Sequence, residues 1–448
     1  METIVSEFIN KKICIWGWGR EGKSTLQFIN KFVPSPDVVI ADKNSIDNIA
    51  IPYISENELI ANIDKFDIII KAPGISLYNL NIKKSNIITS QVELFLKYYK
   101  DKTIGITGTK GKSTTTNLVY FLLKNLNYNV QIGGNIGIPV FDLLMNDKQP
   151  DWYVLELSCH QLDSIIYSPH LAILLNIFPE HLDYYQSFES YKNAKFNIIA
   201  HQNSNDLAII NNNISDIPNI ESEIWNFGEN IKNSQRGLFY INNNLIFKDA
   251  KNTKKLSIDQ TKLKLQGQHN IHNICAALLA THFVTGRQIE AFLHEIYEFQ
   301  PLPHRLEYVG KFKDIHFYND SISTIPQSTI AALESLHDVD TLIIGGMNRG
   351  INYSELFDYL KKSKVKNIFC IGELKDFLYQ NLDNYKDKNV IKFEDLQQAV
   401  YSAFQFTTPG KICLLSPAAA SYDQFKNFEE RGDKFKHYIE NFDTKNLV

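Results

Sequence analysis

The chain has 448 residues, of which 44% are hydrophobic and 12% aromatic, and its formal net charge at pH 7 is −4. This composition is typical of a globular protein of about three domains, at roughly 150 residues each. The charge gives no electrostatic reason to expect a nucleic-acid partner, and no apolar run is long enough to cross a membrane. The five scattered cysteines and the absence of an N-terminal secretory pattern favour a reducing cytoplasm, and we expect a monomer.

Apolar runs rich in β-branched residues alternate with amphipathic stretches along most of the chain. This alternation is typical of parallel sheets with crossover helices, so we predict an α/β fold. Strands are expected at residues 13–16, 38–41, 67–70, 104–107, 153–155, 171–175, 342–344, 368–371 and 412–415. The Asn-rich region at about 202–262 predicts hairpins and loops instead.

A glycine-rich turn follows the first predicted strand. It has the sequence GWGREG at residues 17–22, and Asp42 ends the next strand. Glycines of this kind let the backbone approach a diphosphate at a helix N-terminus, while the acidic residue lies near a sugar or base. Alone, the pattern is consistent with an NAD-dependent oxidoreductase, with any other nucleotide diphosphate, or with a turn that binds nothing.

A second glycine-rich turn lies within residues 104–116, which have the sequence IGITGTKGKSTTT. An apolar strand leads there into Gly-Lys-Ser and a helix, so glycines, helix amides and the helix dipole would surround an anion. We expect Lys112 to hold the outer phosphates of a nucleoside triphosphate and Ser113 to hold Mg²⁺. The glycines at positions 105 and 108 depart from the strict P-loop spacing, and an ordinary strand-turn-helix corner is the alternative.

Polar residues follow the next two apolar strands. Glu156 comes directly after one strand, and His181 lies just past the other. Because parallel strands end at the same edge of a sheet, both side chains are expected near the phosphates. A carboxylate there can ligate Mg²⁺, which prefers oxygen ligands. The alternatives are a surface glutamate and a structural histidine, and Lys195 is unremarkable within an amphipathic helix.

The length and the segment PLP at 301–303 predict three domains with a hinge, because proline fixes φ and disfavours helix before it. We expect a Rossmann-like domain at 1–99, a central P-loop-type ATPase domain at 100–301 and a Rossmann-like domain at 302–448.

These motifs, with others later in the chain, resemble those of the Mur ligases. The resemblance covers nearly the whole chain and is carried by TGTKGKS at 107–113, GGNIG at 133–137, LELS at 155–158, EHLD at 180–183, GQHN at 267–270 with Asn273, PHRLE at 303–307, NDS at 319–321 and SPAAAS at 416–421. The closing segment, SYDQFKNF at 421–428, is similar to that of the members that add glutamate to UDP-N-acetylmuramoyl-L-alanine.

The resemblance implies an ATP-dependent ligase of cytoplasmic peptidoglycan precursor synthesis, with ATP and Mg²⁺ as cofactors. ATP would phosphorylate the carboxylate of UDP-N-acetylmuramoyl-L-alanine, and the amino group of glutamate would attack the acyl phosphate. Domain closure would exclude water from this intermediate.

The resemblance also implies roles for individual residues. The catalytic residues would be Lys112, Glu156, His181 and Lys195. ATP would contact Gly108, Thr109, Lys110, Gly111, Lys112, Ser113, Thr114, Asn270, Asn273, Arg305 and Asp320, the last two from opposite sides of the hinge. The UDP substrate would contact Gly17, Arg20, Glu21, Asp42, Asn135, Ser158 and Gln161. Glutamate would contact Thr324, Arg349, Ser421 and Phe428. The metal ligands would be Ser113, Glu156, His181 and Lys195, the last as a carbamate.

Three positions depart from the family pattern. Ile322 replaces a lysine, Lys110 replaces an asparagine before Gly-Lys, and Arg349 replaces the lysine of a Gly-Gly loop. Arginine still suits a carboxylate, but as a planar fork rather than a point charge.

The identity of the amino acid is open at this level. Segments 16–22, 320–324 and 345–350 are similar to a branch that adds L-glutamate, whereas 423–428 is similar to D-glutamate-adding members. We predict D-glutamate from the closing segment, with L-glutamate as the alternative. Folylpolyglutamate synthase shares the central domain, but the turn at 17–22 argues against it. A non-catalytic nucleotide-binding module is disfavoured by the catalytic set named above.

Overall fold

The structure is a computed structural model that describes residues 2–44, 51–80, 82, 85–146, 148–163, 165–231, 235–265, 267–300, 303–336, 338–385 and 387–445. Within these ranges the strands form three sheets, which are mostly parallel, and the predicted α/β class is confirmed. The chain divides into two compact units, Met1–Leu263 with His269–Phe299, and Lys264–Gln268 with Gln300–Val448. No helix in the described ranges is both long and apolar enough to span a bilayer.

The first sheet is parallel throughout, with strand order β3-β2-β1-β4-β5. Its elements are α1 (Glu2–Val5), β1 (Lys12–Trp16), α2 (Arg20–Phe32), β2 (Asp37–Asp42), β3 (Tyr53–Ser55), α3 (Glu56–Ile60), β4 (Ile68–Lys71), β5 (Ile88–Thr89) and α4 (Gln91–Tyr99). Ile13 and Ile15 of β1 belong to one buried cluster, and Cys14 and Trp16 belong to another. Both faces of the sheet are therefore covered, as parallel sheets require.

The second sheet has the order β14-β13-β12-β11-β10-β9-β6-β8-β7. Its elements are β6 (Thr103–Thr107), α5 (Lys112–Asn125), β7 (Val130–Gly134), α6 (Val140–Leu143), β8 (Trp152–Glu156), α7 (Cys159–Leu162), β9 (Leu171–Leu174), α8 (Leu182–Tyr185), α9 (Phe188–Ala200), β10 (Leu207–Asn211), β11 (Glu223–Gly228), β12 (Gly237–Ile241), β13 (Asn244–Lys248), β14 (Thr253–Ser257), α10 (Gln268–Thr285) and α11 (Leu293–Glu298). The strands from β7 to β12 are parallel, and β12, β13 and β14 are antiparallel.

The prediction of hairpins and loops over 202–262 is partly wrong. Hairpins do occur from β12 to β14, but β10 and β11 pair in parallel and extend the central sheet. The whole of β10 is buried, and in β11 Trp225 and Phe227 are buried. A short continuous apolar run is typical of such a two-sided strand, and here the neighbouring asparagines lie in the connecting turns.

The third sheet has the order β15-β16-β20-β17-β18-β19, and only β15 and β16 are antiparallel among the pairs described. Its elements are β15 (Glu307–Phe312), β16 (Ile315–Asn319), α12 (Pro326–Ser335), β17 (Val339–Gly345), α13 (Ser354–Lys362), β18 (Asn367–Ile371), α14 (Lys375–Leu382), β19 (Asn389–Lys392), α15 (Leu396–Phe406), β20 (Ile412–Leu415) and α16 (Phe428–Lys445). Successive residues of β17 enter different buried clusters, so this sheet also has two covered faces.

The three predicted domain ranges stay a prediction. The first and second sheets lie in the first compact unit, and the third sheet lies in the second. Pro301 and Leu302 of the expected hinge lie outside the described residues.

Candidate active site

The glycine-rich turn between β6 and α5, residues 108–111, has a geometry that suits an anion, and we name it the phosphate cradle. Gly111 is the N-cap of α5 and has a φ of +84°, which glycine adopts without strain. A Cβ at this position would also lie 2.5 Å from Oδ1 of Asn273. The first amides of α5 have no helical acceptor, and the helix dipole favours negative charge there. The turn can therefore bind a phosphate through its backbone.

Two lysines meet at one carbonyl in this turn. Nζ of Lys112 donates to the carbonyl oxygens of Gly108 and Thr109, both at 2.9 Å. Nζ of Lys195 donates to the same Gly108 oxygen at 2.9 Å, and Lys195 is only 1% exposed. Burial, together with the charge of Lys112, lowers the pKa of Lys195 to about 7. A large fraction of this amine is therefore neutral at neutral pH.

The segment that follows β9 holds the turn in place. The backbone N–H of Thr109 donates to the Asn176 carbonyl at 2.9 Å, and that of Lys110 donates to Oδ1 of Asn176 at 2.8 Å. Oγ1 of Thr109 accepts from the Phe178 N–H at 2.9 Å, and Nζ of Lys110 donates to Glu180 at 2.7 Å. Sequence reasoning missed Asn176, although an asparagine directly after an apolar strand was a usable signal. The lysine at 110 thus serves as a tether to the neighbouring loop.

Glu156 lies beside the same turn with one oxygen unsatisfied. It is 3% exposed and pairs in register with Ile106 at the end of β6. Oε1 accepts from Nδ2 of Asn135 at 2.7 Å, whereas Oε2 is buried with no hydrogen-bond partner among the residues that the structure describes. Burying a carboxylate oxygen without a hydrogen bond costs free energy, and a divalent cation bound to that oxygen would offset the cost.

His181 and Lys195 both lie near the ring of Tyr191. The His181 ring is 6.3 Å from the ring of Tyr191, and Nζ of Lys195 lies 4.9 Å from the centre of that same ring. The His181 side chain is 47% exposed, and its backbone φ is +55°. The structure therefore places Lys112 and Lys195 on this turn, Glu156 at the end of the neighbouring strand β8, and His181 near Tyr191, and the catalytic roles of the four residues stay a prediction.

Other predicted ATP residues divide between the two units. Asn273 donates to Asn270 at 3.0 Å, and both are buried in the first unit. Ser113 is half-buried and Thr114 is buried, both in the first turn of α5. Arg305 and Asp320 lie together in the second unit, so the expectation that they flank the hinge is wrong.

Asp320 is fixed within its own unit. Its Oδ2 accepts from Oγ of Ser416 at 2.7 Å, and its Oδ1 accepts from the Leu306 N–H at 3.2 Å. Burial raises the pKa of Asp320 to about 6, against the lowering effect of these hydrogen bonds. The strand ends of β16 and β20 position this carboxyl.

The turn at 17–22 is built around Gly17 and Asp42. Gly17 has a φ of +103°, and a Cβ there would lie 2.6 Å from Cβ of Ala72. The backbone N–H of Trp18 donates to Oδ2 of Asp42 at 2.7 Å, and that of Asn44 donates to Oδ1 at 2.9 Å. Asp42 therefore holds the turn in shape, and its remaining lone pairs are available to a ligand.

Polar contacts join this turn to the central sheet within the first unit. Nε2 of Gln161 donates to Oε1 of Glu21 at 2.7 Å, and Nη1 of Arg20 donates to the Gly137 carbonyl at 3.3 Å. Burial raises the pKa of Glu21. Ser158 and Gln161 form a capping box at the start of α7, which fixes both side chains. The predicted UDP-substrate residues thus lie in one connected region.

The predicted glutamate residues lie in the second unit, three of them in the segments that follow β16, β17 and β20, and Phe428 at the start of α16. Ser421 is buried, Thr324 and Phe428 are half-buried, and Arg349 is exposed. The carbonyl of Phe428 accepts from Oγ of Ser321 at 2.8 Å, which joins the segment that contains Thr324 to the start of α16.

Arg431 ties these segments together, and sequence reasoning assigned it no role. It is 1% exposed, and its guanidinium donates to the carbonyl of Ala419 at 3.0 Å and to the carbonyl of Ser321 at 2.9 Å. The Met347 N–H donates to the Ala420 carbonyl at 2.9 Å, which attaches the Gly-Gly loop to the same place. Nothing in the local sequence shows that this arginine of a charged helix turns inward.

Two family models match the central and C-terminal parts of the chain. Residues 106–281 match the Mur ligase middle domain, and residues 304–419 match the Mur ligase, glutamate ligase domain. The UDP-N-acetylmuramoylalanine--D-glutamate ligase of Oenococcus oeni is 35% identical over 96% of this chain and 97% of its own. The enzyme of that name from Aquifex aeolicus is 32% identical over 97% of this chain and 100% of its own.

Solved structures show the same fold. The MurF ligase of Thermotoga maritima, in complex with ADP, has a TM-score of 0.55 and 18% identity over 98% of this chain and 97% of its own. A MurF from Acinetobacter baumannii has a TM-score of 0.58 and 16% identity over 95% of this chain and 90% of its own. The family predicted from the motifs is confirmed: the chain belongs to the Mur ligases.

Proposed function

We propose that the protein is an ATP-dependent ligase that joins the carboxyl group of UDP-N-acetylmuramoyl-L-alanine to the amino group of D-glutamate, with release of ADP and phosphate. It would act in cytoplasmic peptidoglycan precursor synthesis. The observation that carries the proposal is that Lys112 and Lys195 meet at the Gly108 carbonyl, next to the strand that ends in Glu156, in a chain whose relatives bear this activity in their names. Because the chain belongs to the Mur ligases, we no longer interpret the turn at 17–22 as part of an NAD-dependent oxidoreductase.

The phosphate cradle would bind the outer phosphates of ATP. The amides at the start of α5 would face the anion, and Lys112 would exchange its two carbonyl acceptors for phosphate oxygens, which bind an ammonium more strongly. Phosphoryl transfer needs little covalent help from the protein, so positioning and charge neutralisation are the main tasks of these residues.

The residues present fit Mg²⁺. The buried Oε2 of Glu156, which has no partner among the described residues, needs a cation, and the Ser113 hydroxyl lies in the first turn of α5. Oxygen donors of this kind suit Mg²⁺, which keeps several of its waters. When bound, the metal would neutralise charge on the phosphoryl group. His181 and a carbamate on Lys195 would complete a second site.

The carbamate on Lys195 has a chemical basis in its surroundings. A neutral amine attacks CO₂, a nitrogen–carbon bond forms, and one proton is released to solvent. The lowered pKa of Lys195 supplies the neutral amine, and the ammonium of Lys112 would compensate the new negative charge. A buried charge so compensated avoids most of its desolvation penalty.

The two other substrates are assigned to separate regions. The turn at 17–22 with Asp42 would bind the uridine diphosphate end, and Asn135, Ser158 and Gln161 would border the path to the phosphate cradle. Glutamate would lie among Thr324, Arg349, Ser421 and Phe428. Arg349 supplies a cation for a carboxylate of this amino acid.

A ligation assay with both enantiomers tests the proposal. Purified protein would be given ATP, Mg²⁺ and UDP-N-acetylmuramoyl-L-alanine with D-glutamate or L-glutamate, and phosphate release and product mass would be measured. We expect phosphate and the amide product with D-glutamate only, and neither when the UDP substrate is omitted. Product with L-glutamate alone would establish the alternative substrate. Phosphate release with a folate and glutamate instead would overturn the assignment.

A further inference from the structure

A thiol and two imidazoles converge beside the phosphate cradle, and the proposed ligation uses only one of the three. One ligand atom each from Cys159, His160 and His181 lie within 4.8 Å of one another. Sγ of Cys159 is 3.7 Å from Nδ1 of His160. Cys159 and His160 open α7, whereas His181 follows β9, so the fold rather than local sequence brings the three donors together.

A tetrahedral zinc site needs its ligand atoms somewhat closer together than this 4.8 Å limit. Zinc binds thiolate sulfur at about 2.3 Å and imidazole nitrogen at about 2.0–2.1 Å, so ligand atoms on one ion lie about 3.5 Å apart. Cys159 and His160 are already near that separation. The remaining adjustment can come from His181, because its side chain is the most exposed of the three.

The two donors on α7 are held in place by their neighbours. The His160 ring lies edge-on to the Tyr184 ring at 4.4 Å and stacks with the Tyr185 ring at 5.8 Å. The capping box of Ser158 fixes the backbone at the start of α7. Donors that are held before a metal arrives lose little entropy on binding it.

Burial selects a small ion over a larger reactant. Cys159 is 3% exposed, so a bulky electrophile or a second thiol cannot reach its sulfur directly. His160 is half-buried and His181 is exposed, which leaves a route for an ion from solvent. One sulfur and two imidazole nitrogens form a donor set that prefers Zn²⁺ to the Mg²⁺ required for phosphoryl transfer.

We propose that Cys159, His160 and His181 form a site for Zn²⁺, with water or a phosphate oxygen in the fourth position. The thiol proton leaves to solvent as the sulfur–zinc bond forms. The binding claim does not depend on the activity of the protein. Its consequence does rest on the proposed function: because zinc would engage His181, it would inhibit ligation even with Mg²⁺ in excess.

Cobalt(II) provides a direct probe of this site, since it occupies zinc sites and a thiolate ligand gives it charge-transfer absorption in the near ultraviolet. The metal-free full-length protein would be titrated with Co²⁺ and then with Zn²⁺. We expect the absorption to saturate at one equivalent of Co²⁺ and to disappear when Zn²⁺ displaces it. Cys159→Ser should abolish the absorption, and His160→Gln should weaken Co²⁺ binding about tenfold or more.

Matched variants separate this site from other donors. Cys14→Ser changes another buried cysteine, and His294→Gln changes an exposed histidine of α11; both should leave the cobalt absorption unchanged. In the ligation assay, micromolar Zn²⁺ should inhibit the wild type and should inhibit Cys159→Ser much less. The proposal is overturned if the wild type shows no thiolate absorption, if the absorption survives in Cys159→Ser, or if His160→Gln binds Co²⁺ as tightly as the wild type. Those spectra are informative even if the protein proves to ligate other substrates.

Discussion

Lys112 and Lys195 donate to the same carbonyl oxygen, that of Gly108, each over 2.9 Å. Two ammonium groups so close would repel each other, and the more deeply buried Lys195 has the lowered pKa that relieves the repulsion. The same carbonyl thus places an amine suited to carbamate formation beside the lysine expected to bind phosphate.

Lys195→Ala should reduce kcat for ligation by about 10²-fold or more, because a charged group that acts on the phosphoryl transfer is removed. Short carboxylates such as acetate should restore part of the rate by occupying the vacated space. The matched control is Lys192→Ala, on the same helix but paired with Asp216 away from the turn, which should remain active. Full activity of Lys195→Ala would refute the carbamate.

The stability of the ligand-free protein should depend on pH through Lys195. Its pKa is about 7 when folded and 10.5 as the ordinary value, so between these pH values the unfolded chain binds more protons. The free energy of unfolding therefore rises with pH in that window, by at most about 1.4 kcal/mol per pH unit from this group. Urea unfolding of wild type and Lys195→Met, in CO₂-free buffer, isolates the effect.

The comparison with Lys195→Met removes the contributions of other titrating groups. The stability advantage of Lys195→Met should be largest at pH 7 and below, and should shrink toward pH 10. Parallel pH profiles for the two proteins would mean that Lys195 keeps an ordinary pKa when folded.

Gly111→Ala should both destabilise the protein and abolish ATP binding. The positive φ costs about 1–2 kcal/mol for a residue with a Cβ, and that Cβ would lie 2.5 Å from Oδ1 of Asn273. Gly286 also has a positive φ, but nothing lies within 4 Å of its Cβ position. Gly286→Ala should therefore show the loss of stability alone, with an unchanged KM for ATP. Equal effects of the two substitutions on ATP binding would contradict the role of the cradle.

Arg431→Met should raise the KM for glutamate by about tenfold or more, because each lost charged hydrogen bond is worth about 1.5–3 kcal/mol to the segments it holds. Those segments are the ones that contain Ser321 and Ala419. The KM for ATP should change much less. Lys434→Met removes an exposed cation from the same helix and should leave both constants unchanged. A uniform loss of stability without the KM difference would mean that Arg431 only supports the fold.

The strands could be predicted from the sequence, as could the sheet edge near which Glu156 and His181 lie. The burial of individual charged side chains, which depends on tertiary contacts, could not. Each predicted strand occurs, because a buried parallel strand needs a continuous apolar run. Glu156 and His181 were found because strand ends share an edge. The burial of Lys195 and Arg431 could not be seen, since each belongs to a helix with other charged residues and only the folded chain shows which of them faces inward.

The parallel pairing of β10 and β11 was missed for a related reason. The abundance of asparagine over 202–262 obscured the short apolar run of β10, and pairing partners are set by the neighbouring β9 rather than by local sequence. His160 and Cys159 were likewise adjacent in sequence to the predicted site, but their approach to His181 required the fold.

The most direct test of the proposed acyl-phosphate route follows an oxygen atom. The carboxylate of UDP-N-acetylmuramoyl-L-alanine would be labelled with ¹⁸O, and the phosphate released during ligation with D-glutamate would be analysed by mass spectrometry. A carboxylate oxygen that attacks the terminal phosphorus of ATP leaves with the phosphate when the amine displaces it, so each phosphate should contain one ¹⁸O. Unlabelled phosphate, released in step with amide formation, would contradict the mechanism.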